Sequence, residues 1–149
     1  MFNKWKERLE EVSVNGLSIP ISSQMLERVF RLKAKEVQNL KAEITEDFVS
    51  LSGTVKVKKM MFEKDIPIKI VLKPLRIEKR TIIMELVKVK PMDIGLINQK
   101  LLNKPPFAEY RERTIRLDLD AWDAVRRIPF GQFKSFEMKK DAIVVKVWI

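Results

Sequence analysis

The spacing of apolar residues changes several times along the chain, and each change predicts an element. Phe2, Trp5, Leu9 and Val12 recur at steps of three and four, with Lys4, Lys6 and Arg8 between them. That spacing predicts a short amphipathic helix, broken by Asn15-Gly16. Pro20 precedes Ser22-Ser23, either of which can cap a second helix with Met25, Leu26, Val29 and Phe30 as its stripe. From Val37 the period becomes two, which sends successive side chains to opposite faces of a strand. Leu40, Ala42 and Ile44 share one face, Glu46-Asp47 predicts a turn, and Val49, Leu51, Gly53, Val55 and Val57 form the partner strand. Glu63-Lys64-Asp65 reads as the next turn. Ile66, Ile68, Ile70 and Leu72 follow as a third strand, interrupted at Pro74.

A fourth strand is expected from Arg76 to Val89. Ile82, Met84 and Leu86 share one face and Val87 and Val89 the other, so a bulge or sharp bend lies between them. Pro91 suits the first turn of a helix carrying Ile94, Ile97 and Leu101, and Asp93 suits its positive end. Pro105-Pro106 ends it. Ile115, Leu117 and Leu119 predict a fifth strand, and Asp120 a cap for a short helix through Trp122 and Val125. Phe133 to Met138 and Ala142 to Ile149 predict a closing hairpin, turning near Lys139-Lys140-Asp141. Consecutive strands on short turns favour antiparallel meander pairing. The expected fold is therefore α+β. A curved antiparallel sheet of six to seven strands wraps around, or packs on, two to three helices. A single domain over 1–149 is expected, with 1–15 as an amphipathic helix and 16–149 as the core.

Composition narrows the chemistry. The 149 residues contain no His and no Cys. The chain thus lacks the side chains most used for neutral-pH proton transfer and soft-metal ligation. No G-x-G-x-x-G, Walker loop or G-x-S-x-G occurs, and only four Gly are present. Asp118, Asp120 and Asp123 could hold a hard cation, but their spacing fits no EF-hand, and a strand face and a helix cap explain them better. Ser22 and Ser23 have no histidine base. An enzyme is the least favoured class, and no cofactor or metal is expected. No apolar run approaches the roughly 18–20 residues that span a bilayer, and Met1 to Val12 does not read as a signal peptide. A cytoplasmic or peripherally membrane-associated location is the expectation.

Charge points towards an anionic partner. The formal net charge is +10, and Thr54 to Lys90 holds eleven basic and four acidic residues, a local net of +7. Lysines on the wet face of a sheet also keep a protein soluble and blunt its edges. Phe62 is the one aromatic in that window, too few to stack bases, so nucleic acid is disfavoured. Phe2, Trp5 and Leu9 beside Lys4, Lys6 and Arg8 suit a membrane interface, or equally a helix docked on its own sheet.

The segments ITEDFVSLSGTVKV at Ile44–Val57, IPIKIVLKPLRIEKRTIIMELVKVKP, MDIGLINQKLL and GQFKSFEMKKDAIVVKVWI form a pattern. It resembles the bacterial LmeA-like phospholipid-binding domains, within the tubular lipid-binding (TULIP) group, over roughly Ile19–Ile149. The resemblance implies a strongly curved antiparallel sheet around a helix, with an apolar groove that takes acyl chains. The resemblance carries over no specific functional residues; from the alternation and charge of this chain itself, Leu51, Val55, Ile68, Ile70, Met84, Ile97 and Leu101 are expected to line such a groove, and Lys56, Lys58, Lys69 and Lys73 to meet anionic headgroups on its rim. The implied partners are a phospholipid or fatty acid and an anionic membrane surface. The alternative is an interaction module that forms a homodimer, or docks on an acidic protein, through an exposed sheet edge or apolar face.

Overall fold

The computed structural model describes residues 16–59, 61–91, 95–128 and 131–148, except the side chains of 57–59, 62 and 95–97. Its strands are β1 (Leu17–Ser22), β2 (Val37–Ile44), β3 (Val49–Lys59), β4 (Phe62–Glu78), β5 (Thr81–Lys90), β6 (Ala108–Arg111), β7 (Thr114–Asp118), β8 (Gln132–Lys139) and β9 (Ala142–Trp148). The helices are α1 (Ser23–Lys33), α2 (Gly95–Leu102) and α3 (Asp123–Arg126), with a 3-10 turn at Leu119–Ala121. β2-β3-β4-β5-β7-β6 form one antiparallel sheet and β1-β9-β8 a smaller one. The architecture is α+β with a meander at its centre, as the alternation predicts. The expected N-terminal helix, with Phe2, Trp5 and Leu9, lies outside the described residues, as does Asp93.

The inward residues of both sheets, the apolar stripe of α1 and the end of α2 make one contiguous core. Leu26, Ile44, Val49, Leu72, Met84, Leu86, Ile115, Leu117, Ile143 and Val145 are all buried in it. Burying a side chain of this size stabilises the fold by about 1.5–3 kcal/mol. Phe107 bridges two elements by edge-on contacts, with ring centroids 5.1 Å from Phe30 and 6.0 Å from Trp122. The Trp122 indole Nε1 donates to the Met25 carbonyl at 3.0 Å, fastening α1 to the turn after β7.

The structure corrects several turn assignments. β3 ends at Lys59 and β4 begins at Phe62, so Glu63, Lys64 and Asp65 are strand residues. They are charged because they face charge. Asp65 lies opposite Lys56 and Glu63 opposite Lys58, and opposite charges across a ladder are favourable. β4 also runs through Pro74 to Glu78, and the chain reverses at Lys79-Arg80. Pro74 is tolerated because the register shifts between Pro74 and Arg76, and a proline without an N–H is admitted at such a shift. Lys79 supplies the left-handed conformation there, with φ 56°. The expected slip after Leu86 is present: Leu72 pairs with Leu86 and Val71 with Lys88, leaving Val87 as the extra residue. β1 and β6 are additions that the alternation did not predict: Pro20 interrupts the first, and the second is only four residues long. Ser22 caps α1, accepting from the Met25 amide at 3.2 Å.

α1 also closes the open edge of β2. The Ile44 amide donates to Ser23 Oγ at 3.2 Å, and the Ala42 amide to Glu27 Oε1 at 3.1 Å. Arg31 Nη2 donates to the Leu40 carbonyl at 3.1 Å. Four residues of helix rise about 6.0 Å and two of strand about 6.6 Å, so the i, i+4, i+8 row stays in step with alternate strand residues. A salt bridge of 3.3 Å between Arg31 and Glu27 holds two members of the row. An uncovered edge is a template for pairing with another chain. Replacing Glu27 and Arg31 together by Ala is therefore expected to cost about 1–2 kcal/mol in urea unfolding and to produce concentration-dependent association in sedimentation velocity. A monomer of unchanged stability would show that the helix does not guard this edge.

Candidate functional site

The β3–β4 register sorts the expected groove and headgroup residues. Leu51 pairs with Ile70 and Val55 with Ile66, on the core face. Ser52 pairs with Lys69 and Lys56 with Asp65, on the opposite face. Successive side chains of a strand point to opposite sides. The expected apolar groove with a basic rim is thus divided: its apolar residues lie beneath the sheet and its lysines above.

Beneath the sheet, Leu51, Ile68, Ile70 and Leu101 converge on one cleft, joined by Phe30, Ala34, Val37, Leu40 and Leu102. Ser52 also borders it, although the register sends its side chain to the opposite face. The cleft lies where α1 and α2 meet β2, β3 and β4. Its volume is about 20 Å³, and a single water needs roughly 10–15 Å³. The groove is filled by its own side chains. Val55 is half-buried and packs against the core, whereas Met84 is fully buried and not part of the cleft. Ile97 lies on α2, its side chain outside the described residues. Gly53, beside Leu51, is required by close approach: a Cβ there would sit 2.4 Å from Val37 Cγ1.

Above the sheet, the four expected lysines are not equivalent. Lys56 faces Asp65, and its ammonium is 3.9 Å from the Glu63 carboxylate. Lys58 takes the register position opposite Glu63, its side chain outside the described residues. Lys73 faces Glu85. Lys69 alone faces another lysine, Lys90. The row continues outward, since Lys69 also pairs with Ser52, and Ser52 with Lys41. Lys41, Ser52, Lys69 and Lys90 thus run across four adjacent strands, about 14 Å at ~4.8 Å per strand. Lys88 stands beside this row, two residues from Lys90 and opposite Val71, with Glu43 and Ser50 at the far end of its own row.

Lys41, Lys69, Lys88 and Lys90 are exposed, and none forms an ion pair among the described residues. Lys88 is held below its ordinary pKa, first by a hydrogen-bonding contact with Lys90 and by the charge of that neighbour. Partial desolvation and the charge of Lys69 add to this. Its charged form therefore opposes folding. Lys41, Lys88 and Lys90 escaped the sequence reading because their neighbours are set by register. The signal available was the i, i+2 pair Lys88 and Lys90.

The far end of the same face is compensated. Ile83 is buried at 1% exposure yet lies outside the main core, with Arg76 and Arg116 as its cross-strand neighbours. Glu78 bridges both, at 2.8 Å to Arg76 Nε and 3.4 Å to Arg116 Nη2. Arginines so placed can lay their apolar stems along such a residue while their heads stay wet. The three aspartates have structural duties. Asp118, not Asp120, is the cap, accepting from the Asp120 amide at 2.9 Å. Asp120 receives Arg80 in a fork, 2.8 Å from Nε and 2.6 Å from Nη2. Asp123 pairs with Arg126. Arg80 also donates to the Val125 carbonyl at 3.0 Å and stacks over Phe133 at 4.5 Å, tying the β4–β5 turn to α3 and β8.

Comparison with known proteins finds no matching family model, no matching curated protein and no matching solved structure. No helix among the described residues is long and apolar enough to cross a membrane.

Glu78 provides a pH test of this face. The hydrogen bond and charge of Arg76, with smaller help from Arg116, hold its carboxyl below the ordinary glutamate range against the opposing effect of desolvation. The folded pKa is depressed, so the stabilisation is present above the unfolded value and lost as pH falls through the folded one. Carbon-detected NMR titration is expected to place the Glu78 midpoint below that of the denatured chain and to move it upward in Arg76→Ala. An unmoved midpoint would remove the bridge from the description of this face.

Proposed function

We propose that the chain is a non-enzymatic lipid-associating domain that contacts an anionic membrane surface through the open face of its six-stranded sheet. The observation that carries this reading is the row Lys41, Ser52, Lys69 and Lys90 with Lys88 beside it: concentrated, exposed positive charge with no ion-pair partner among the described residues. Natural sheets can use lysine to blunt edges, but β4 and β5 are interior strands of this sheet. A cationic side chain near an anionic bilayer contributes about 1 kcal/mol. Replacing Lys69 and Lys90 by Ala together is thus expected to weaken binding to phosphatidylglycerol-containing vesicles by roughly thirtyfold. Raised salt would weaken the wild type, and zwitterionic vesicles would not bind. Wild-type protein that ignores anionic vesicles at low salt, or a double variant that binds unchanged, would defeat the proposal. Tighter binding to duplex DNA than to vesicles would favour the nucleic-acid reading.

A second reading, uptake of a phospholipid or fatty-acid chain, is supported by the apolar lining of the cleft. Each buried CH₂ would contribute about 0.8 kcal/mol, but α1 or α2 must part from the sheet first. Native mass spectrometry of freshly purified protein tests it: a co-purifying lipid mass removed by organic extraction is the expected result of that reading, and a clean apo mass overturns it. The interaction-module alternative loses two of its edges. β2 is closed by α1, and β6 is met by Asn103, whose Oδ1 accepts from the Tyr110 amide at 3.1 Å, and by the backbone of Lys104. Of the sheet edges, a homodimer has those of the smaller sheet left: β1, which carries Pro20, and β8.

A further inference from the structure

We propose that Lys69, Lys88 and Lys90 form a binding site for a phosphate monoester in its dianionic form, presented by a lipid headgroup of the phosphatidic-acid type. The inference rests on the membrane-facing reading above for the source of the phosphate, and it turns a diffuse basic face into one with a defined ligand. Three observations carry it. Lys69 and Lys90 are directly opposite on adjacent strands, where side chains start only about 4.5–5.5 Å apart and like charges are unfavourable. The extra residue Val87 shifts the register so that Lys88 pairs with Val71, on the face that also holds Lys69 and Lys90. Finally, the Lys88 ammonium is held below its ordinary pKa by its neighbour Lys90 first and by the charge of Lys69 less strongly, in keeping with that shared face.

Among the described residues the face offers no paired anion to the cluster. Glu85 faces Lys73 one row away, and Glu43 stands on β2, two strands from β4. Three ammonium groups bring nine donors and three charges to one place. A phosphodiester carries one negative charge and leaves two of them uncompensated. A phosphomonoester has its second ionisation near pH 6, and neighbouring ammonium groups favour that ionisation. The dianion therefore offsets the repulsion best. Ser52, directly opposite Lys69, adds a hydroxyl at the margin.

The test uses the full chain and two single variants. Vesicles containing phosphatidic acid or phosphatidylglycerol are matched for surface charge at pH 7.5. The wild type is expected to prefer phosphatidic acid by about tenfold, the order of one extra charge-assisted contact. Lys88→Gln should abolish that preference, whereas Lys41→Gln, on the same face but outside the cluster, should weaken both lipids equally and keep it. Because relief of repulsion favours the folded state, Lys88→Gln is also expected to raise the melting temperature, which separates lost binding from lost folding. Equal wild-type affinity for the two lipids would overturn the monoester site while leaving the membrane reading standing. So would the same change of preference in both variants. Failure to bind either vesicle would overturn the membrane reading. If glycerol 3-phosphate still moved the lysine Nζ signals in that case, the lipid source would be overturned in favour of a soluble phosphate ester.

Discussion

The register between β3 and β4 decides what each side of this molecule is. Eleven residue pairs are in step from Val49 opposite Leu72 to Lys59 opposite Phe62. A slip of one residue on β4 would send Ile70 and Leu72 to the outer face and Lys69 and Lys73 into the core. Burying an unpaired ammonium costs far more than burying an aliphatic side chain returns, so hydrophobic burial alone goes far to fix the pairing. Two local devices sharpen it. Lys56 and Lys58 meet Asp65 and Glu63 only in this alignment. Gly53 is the one β3 position where the kinked segment of β2 near Asn39, with φ 54°, comes too close for a side chain. Both candidate surfaces start from this register: the apolar cleft lies below it, and Ser52 and Lys69, the middle of the lysine row, lie above.

The second constraint is closure. A six-stranded open sheet has two free edges, and both are met here by side chains or backbone rather than by further strands. The α1 row of Ser23, Glu27 and Arg31 gives β2 donors and acceptors at alternate residues, so the helix that covers the core with Leu26, Val29 and Phe30 guards the edge with its flank. The contact of Trp122 with Met25 then fixes where that helix lies along the sheet. The edges of the large sheet are thus met, the cleft beneath it holds only about 20 Å³, and the lysines of its upper face stand exposed.

How much of this was legible in the sequence follows from the range of each signal. Alternation reports which residues share a strand face, so the inward set Leu51, Ile68, Ile70 and Met84, the closing hairpin and the bulge after Leu86 could be read directly. Turn chemistry misled where charge imitated a loop. Glu63-Lys64-Asp65 resembles a turn, yet it is a strand segment answering Lys56 and Lys58. The true reversal at Lys79-Arg80 contains neither Gly nor Asn. The pairing of Lys69 with Lys90 was not legible, because 21 positions separate them and only the hairpin turn and its bulge determine which residues meet. The same limit hid the edge row of α1, whose residues look like ordinary surface positions until β2 is placed beside them.

The upper face contains a contrast that folding alone does not explain. At one end Arg76, Glu78 and Arg116 compensate one another over the buried Ile83, and Lys73 and Lys56 each face a carboxylate. At the other end Lys69 faces Lys90 and Lys88 crowds both. Selection for solubility would favour scattered charge, and selection for stability would place an acid opposite Lys69, as it does for its neighbours. A sequence that satisfies local rules across most of a surface and breaks them at one place marks that place as functional or strained. Here the strain is electrostatic, it is confined to three exposed side chains, and an anion offsets it. At the proposed site that cost would also be a source of selectivity, because only a ligand with enough negative charge recovers it.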